Sequence, residues 1–244
     1  MLKTIVLAAG KGTRIAQEGI DLPKAMRTVL GKPLLGYVLD ALPTGPEDTG
    51  IVVGYKKEYI TAAFPSYAFA EQTEQLGTGH AVMCALPALE DYDGDVMICC
   101  GDMPLVKKET YAALAEAHRL SGAACTVLSG RTDEPLPFGR VLRDENGDFD
   151  RIVEDRDCTP EQKNIRELNA GIYVVDFKKL ASSLHELRTD NAQGEYYLTD
   201  LPLILKTRGE KVCVYARDMG NELIGVNTPA QLAEVEDILR SRQN

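Results

Sequence analysis

The 244-residue chain carries 27 Lys and Arg against 37 Asp and Glu, a formal net charge of −10, with 44% hydrophobic and 26% charged residues. That balance excludes intrinsic disorder and argues against a nucleic-acid or anionic-membrane partner, while small anions stay open as ligands. The length suffices for one large α/β domain or two small ones, and one is expected. The first apolar run, Ile5 to Ala9, is too short for a signal-peptide core, and no stretch approaches the ~18 apolar residues of a membrane span. The six cysteines, at 84, 99, 100, 125, 158 and 213, form no CxxC pair and no zinc-like spacing with His, so free thiols in a reducing cytoplasm are expected.

In chain order, "TIVLAA", "GIVVGY", "YAFAEQ" and "DVMICC" read as strands, and 33–42, 79–90 and 108–120 as helices. Strands buried on both faces read as nearly continuous apolar runs, so this βαβ rhythm predicts an α/β fold with a mostly parallel sheet flanked by helices, its ligands at the carboxyl ends of the strands. After about residue 130 the rhythm changes. "PFGRVLRDENGDFDRIVED" predicts a hairpin turning at Glu145-Asn146-Gly147, "ELNAGIYVVD" and "KVCVYA" predict strands, and 177–187 and 199–207 predict helices. A closing helix over 229–242 places Leu232, Val235 and Leu239 on one face.

The stretch "LAAGKGTR", Leu7 to Arg14, fails both familiar phosphate patterns: it lacks the GxxxxGK of a P-loop, and Ile15 stands where the third Rossmann glycine would be. The loop is therefore long. Gly10 and Gly12 allow backbone N–H groups to approach an anion closely, and Lys11 and Arg14 supply charge, although a plain strand-to-loop turn would also account for the glycines. Residues 11 to 27 concentrate Lys11, Arg14, Lys24 and Arg27, opposed only by Glu18 and Asp21. That local excess suits phosphates.

The segment "LAAGKGTR…LPKAM…LGKPLL" resembles the opening of sugar-nucleotidyltransferases. "AEQTEQLGTGHAV", "GDMPLV", "FGRVLRDENG", "IVEDRD", "ELNAGIYV", "NAQGEYYLTD" and "GVN" come after it in the order of one branch, the uridylyltransferase half of the bifunctional bacterial enzymes that make UDP-N-acetylglucosamine. The resemblance covers almost the whole chain. It implies a Rossmann-like, GT-A-like nucleotidyltransferase fold: a mixed, mostly parallel sheet with a nucleotide-binding part over about 1–130, a small β-rich sugar-binding lobe over about 131–227, and a closing helix over 228–244. The implied reaction is Mg²⁺-dependent transfer from UTP to a sugar 1-phosphate, with N-acetylglucosamine 1-phosphate foremost. A phosphomonoester is already largely ionised at neutral pH, so no general base is required; the transition state needs cations and in-line geometry.

The resemblance assigns Arg14 and Lys24 as catalytic cations, and Leu7, Ala8, Ala9, Gly10, Lys11 and Gly12 as the triphosphate loop. Lys24 by itself reads as a solvated lysine, but Pro23 holds the preceding residue extended and favours an inward presentation. Uracil recognition falls on Gln72, Gln75, Gly77 and Thr78. A Gln amide offers both donor and acceptor to a pyrimidine edge, and Thr78 would either cap the following helix or touch the nucleotide. Asp102, at a strand edge, is a hard ligand suited to Mg²⁺ or else a helix cap; Asn227 is its implied partner or, again, a cap. The sugar falls to Gly101, Gly139, Glu154, Asn169, Tyr197 and Thr199, of which Glu154 alone would pass for a surface charge.

Three positions depart from the family pattern: Cys100 in place of an aromatic residue, Phe138 in place of the tyrosine of "GYGR", and Ile224 in place of an acid. No hexapeptide repeats of a left-handed β-helix are present, so no acetyltransferase domain and a monomer are expected. Rival readings are another nucleotide and sugar-phosphate pair, a catalytically silent sugar-nucleotide-binding subunit, and a dinucleotide oxidoreductase, which the failed GxGxxG pattern disfavours.

Overall fold

The apolar runs assemble into one twisted sheet in the computed structural model, which describes residues 1–15, 21–134 and 136–243. In chain order the strands and helices are β1 (Leu2–Leu7), the short pair β2 (Thr28–Val29) and β3 (Lys32–Pro33), α1 (Leu34–Ala41), β4 (Thr49–Val53), α2 (Lys57–Ala63), β5 (Ala68–Glu71), α3 (Thr78–Ala85), β6 (Asp95–Cys100) and α4 (Lys108–Ser121). Then come β7 (Cys125–Arg131), β8 (Arg140–Arg143), β9 (Phe149–Val153), β10 (Glu167–Asp176), α5 (Phe177–Ser183), α6 (Leu201–Thr207), β11 (Val212–Arg217) and α7 (Pro229–Gln243). No helix among the described residues is long and apolar enough to cross a membrane, and the cysteines are free thiols.

The sheet order is β11-β7-β10-β6-β1-β4-β5, with the β8–β9 hairpin attached to β10 off that path. Neighbours pair in parallel except at β10, which runs antiparallel to both β6 and β7. The expected mostly parallel α/β sheet is therefore present. Alternation along each strand sends Ile5, Val96 and Ile98 to one face, packed with α3, α5 and α6, and Val6, Met97 and Cys99 to the other, packed with α1 and α4. Each fully buried aliphatic side chain contributes roughly 1.5–3 kcal/mol, so two such layers fix the register of the strands.

Two features of this frame place the site. The register of β10 against β7 shifts between Asn169 and Tyr173 around Gly171, whose φ is +69°. That bulge turns the Asn169 and Tyr173 side chains into the space beyond the β6 carboxyl end. The second feature is a small third core, in which Val235 and Leu239 of α7 meet Ile15, Val29, Leu34 and Leu105, with Leu232 packed against it. It ties the closing helix to the end of the glycine loop.

Several element boundaries differ from expectation. The helix predicted over 79–90 is α3 followed by a 3-10 turn at Leu86–Leu89, because Pro87 cannot continue the α-helical bond pattern. The helix predicted over 177–187 likewise becomes α5 plus a 3-10 turn at Leu184–Glu186, and that over 199–207 a 3-10 turn at Leu198–Asp200 plus α6.

Candidate active site

The loop after β1 is pinned to the sheet by its backbone: Ala8 N donates to Val52 O at 2.9 Å, Tyr55 N to Ala9 O at 3.2 Å, and Gly101 N to Leu7 O at 2.9 Å. Gly12, at φ +66°, is required by close approach; a Cβ there would lie 2.6 Å from Lys24 Cβ. Lys24 opens a 3-10 turn behind Pro23, and its ammonium donates to Asp102 Oδ2 and, at 2.7 Å, to Asn227 Oδ1. Arg14 Nη2 reaches the same Asn227 oxygen at 3.0 Å. Four residues from three distant segments thus meet at one point. Lys11 instead lies over the Tyr55 ring at 5.3 Å, Asp21 pairs with Lys56, and Glu18 lies outside the described residues.

Asn227 is held from the start of α7. Gln231 Oε1 accepts from Asn227 N at 2.8 Å and Thr228 N at 3.1 Å, while Thr228 Oγ1 accepts from Gln231 N at 3.2 Å. This reciprocal capping box starts the helix and extends one residue back to fix the Asn227 backbone. The Val226 N–H donates to the Asp102 carbonyl at 3.0 Å, joining the two segments.

Two cavities flank this point. The first, of about 270 Å³, is lined by Leu7, Ala8, Ala9, Gly10, Lys24, Gln72, Gln75, Gly77, Thr78, Gly101 and Asp102, together with Ala25, Ala81, Cys100 and Glu195. The second, of about 170 Å³, is lined by Gly139, Glu154, Asn169, Thr199 and Asn227, with apolar walls that include Met103, Phe138, Tyr173 and Leu198. Leu7, Thr78, Cys100 and Asp102 belong to both. The cavities therefore share a wall at the β1 and β6 carboxyl ends.

Gln72 is buried and donates from Nε2 to Gly77 O at 3.0 Å, with the same nitrogen 3.1 Å from His80 Nδ1; Gln75 donates to Gln72 O at 3.2 Å. Of the two alternatives for Thr78 the cap is not the one taken, and the residue lines both cavities. No side chain caps α3, and Thr78 Oγ1 accepts from Leu198 N at 3.0 Å. Gly79 N donates to Tyr196 O at 2.8 Å, and Tyr196 N to Leu76 O at 2.8 Å. The 72–79 and 195–199 segments are thereby zipped together, and Gly77 leaves no room for a side chain because a Cβ would lie 2.6 Å from Tyr196 O.

In the second cavity Glu154 accepts from Thr199 Oγ1 at 3.0 Å. Burial pushes the Glu154 carboxyl above its ordinary range, reinforced by Asp200, Asp157 and Asp155, with the Thr199 bond pulling the other way. Asn169 donates to Tyr173 OH at 2.7 Å and accepts from Gly171 N at 3.1 Å. Burial, with Asp102 adding to it, pushes the Cys100 thiol above its usual range.

Lys11, Gly12, Arg14 and Tyr197 line neither cavity, and Gly101 lines the first rather than the second. The Tyr197 hydroxyl donates to Asp157 Oδ2 at 3.2 Å and accepts from Gln193 at 3.0 Å, bracing the 191–199 segment from behind. Ile224 is buried in the third core, away from both cavities. Glu195, Met103 and Leu198 have no assignment in the sequence; each lies inside or next to a family motif, and only the pairing of segments exposes its role. Asp102 Oδ2 and Asn227 Oδ1 converge on the Lys24 ammonium, and with that ammonium turned to a phosphate such a pair of hard oxygens would suit Mg²⁺.

Residues 4–162 match the MobA-like NTP transferase domain. The bifunctional protein GlmU of Clostridium novyi is 42% identical over 243 residues, covering 98% of this chain and 52% of that protein. GlmU of Pelobacter propionicus is 43% identical over 244 residues, covering 98% of this chain and 52% of that protein. The chain spans about half the length of the curated relatives it matches. The crystal structure of HddC from Yersinia pseudotuberculosis complexed with GMP-PN shares the fold at a TM-score of 0.68 and 19% identity, covering 98% of this chain and 100% of that one.

Proposed function

The chain belongs to the MobA-like NTP transferase family, and on that premise we propose that it transfers a uridylyl group from UTP to a sugar 1-phosphate, N-acetylglucosamine 1-phosphate foremost, releasing pyrophosphate. The observation that carries the reading is the shared wall: two cavities, one floored by backbone and Gln72, the other by hydroxyl, amide and carboxylate partners, meet at Asp102 beside Lys24 and Asn227.

In this reading the phosphate of the acceptor, seated beyond the Asp102 wall, attacks the α-phosphorus of the nucleotide; the new P–O bond forms as the bond to pyrophosphate breaks. The Leu7–Gly10 backbone and Lys24 hold the triphosphate, and Arg14 steadies Asn227 from the loop side. Lys24 places its charge against the phosphoryl oxygens as negative charge crowds there, which is where electrostatic stabilisation acts in phosphoryl transfer. Glu154, Asn169 and Thr199 orient the sugar, with Phe138 and Leu198 excluding water. Mg²⁺, when held by Asp102 and Asn227, would supply further neutralisation of the phosphates. The relatives named above carry the GlmU name and align over 98% of this chain, which supports nucleotidyl transfer to a sugar 1-phosphate.

The test is pyrophosphate release across a grid of nucleoside triphosphates and sugar 1-phosphates with Mg²⁺, using Asp102→Ala as control. Release centred on UTP with N-acetylglucosamine 1-phosphate, and lost in the control, is expected. Silence across the grid would refute the proposal.

A further inference from the structure

The amide of Gln72 can meet a base in only one sense. Its Nε2 lies 3.0 Å from the Gly77 carbonyl, and a carbonyl only accepts, so the atom there is the nitrogen and the orientation of the amide is set. The second N–H points at His80 Nδ1, 3.1 Å away, which must then be the acceptor. The ring proton of His80 therefore sits on Nε2, which faces Cys84 Sγ at 3.9 Å, one helical turn along α3. The His80 ring is backed by Tyr196, their centroids 6.4 Å apart. Both donors of Gln72 are thus consumed. Its Oε1 makes no hydrogen bond among the described residues and is not among the sealed, unsatisfied polar atoms, so it is the part of this cavity-lining amide left for a ligand.

We infer that His80 is a specificity-positioning residue: with Gly77 it locks Gln72 so that this side chain shows the base an acceptor and no donor. This rests on the reading of that cavity as the nucleotide site. An acceptor selects a pyrimidine that brings an N3–H, as uracil and thymine do. It rejects cytosine, whose N3 is itself an acceptor, because two facing lone pairs leave a desolvated oxygen unpaired. The sequence reading of Gln72 as both donor and acceptor to the base narrows to acceptor alone.

Dissociation constants for UTP and CTP, with kcat/KM ratios alongside, test this on the intact chain. The wild type is expected to favour UTP by about 100-fold or more. His80→Leu removes the acceptor and leaves the amide held by Gly77 alone, so the UTP-to-CTP ratio is expected to fall about tenfold. His80→Asn, whose Oδ1 can take the place of Nδ1, is expected to restore the ratio. Equal wild-type affinity for UTP and CTP overturns the inference, as does an unchanged ratio in His80→Leu. Equal weakening of both nucleotides in His80→Leu without recovery in His80→Asn shows a merely structural histidine and also overturns it. A wild type whose triphosphate binding ignores Gln72→Leu overturns the nucleotide reading itself, and the role of His80 with it.

Discussion

Gly12→Ala should damage the protein in two separable ways, and the contact at Lys24 sets both magnitudes. A Cβ at residue 12 would lie 2.6 Å from Lys24 Cβ and 3.2 Å from Ile15 Cγ2, at a φ of +66°. Carbon atoms rest at about 3.5–4.0 Å, so the Lys24 stem must retreat by about 1 Å. The left-handed backbone costs ~1–2 kcal/mol for a residue with a Cβ, and the overlap adds ~1 kcal/mol, giving a loss of about 2–3 kcal/mol in unfolding free energy. A displacement of that size at a group that must address the phosphates is expected to lower kcat about 100-fold. Urea unfolding followed by circular dichroism reads the first effect, since the chain has no Trp to report it, and pyrophosphate release reads the second. Gly10→Ala is the control: nothing lies within 4 Å of a Cβ there and its φ is not left-handed, so stability should change by less than ~0.5 kcal/mol. A Gly12→Ala protein with wild-type kcat and stability, or a Gly10→Ala protein equally destabilised, would refute the reasoning.

Lys24→Ala removes the donor shared by Asp102 and Asn227; kcat should fall about 10²–10³-fold with the unfolding midpoint almost unmoved, and near-normal turnover would contradict its role. Because Glu154 has its folded pKa raised, the folded state binds more protons and stability is lost as pH rises through that pKa. Glu154→Gln should therefore unfold at higher temperature than wild type at neutral pH, with the difference vanishing below about pH 4.3, while KM for the sugar 1-phosphate rises; a destabilised variant at pH 7 would reverse the sign. Gln231→Ala should weaken Mn²⁺ binding, read by water-proton relaxation, by about 10-fold or more, because Gln231 fixes the Asn227 backbone. Thr228→Ala, which breaks the same cap without touching that bond, should cost ~1 kcal/mol of stability and leave Mn²⁺ affinity nearly unchanged; equal losses would reduce Gln231 to a helix cap.

Much of the fold is legible because buried strands are apolar runs, as at β1, β4 and β6. β7 escapes that reading: Thr126 and Ser129 interrupt "CTVLSGR", yet both are buried, Thr126 against His118 and Ser129 against Glu167. α2 escapes it too, since Ile60 is its one buried residue. The antiparallel course of β10 leaves no mark in composition, for its run from Ala170 to Val175 is as apolar as the strands that pair in parallel elsewhere in the sheet. At the site, motif order brings together Lys24, Asp102, Asn227, Glu154 and Asn169. Tyr197 lines neither cavity and bonds Asp157 instead, because a motif fixes position along the chain and not which way a side chain turns. The zipper between residues 76–79 and 196–198 and the Gln72–His80 lock arise from pairings of distant segments that one sequence does not display.

In the proposed reaction a single in-line transfer runs across the wall between the two cavities, with no covalent uridylyl-enzyme on the path. Isotope exchange between labelled pyrophosphate and UTP, measured with Mg²⁺ and with or without N-acetylglucosamine 1-phosphate or its nucleotide sugar product, tests it most directly. A single in-line transfer predicts exchange only when the sugar component is present. Exchange in its absence would mean a covalent uridylyl-enzyme and would contradict the claim.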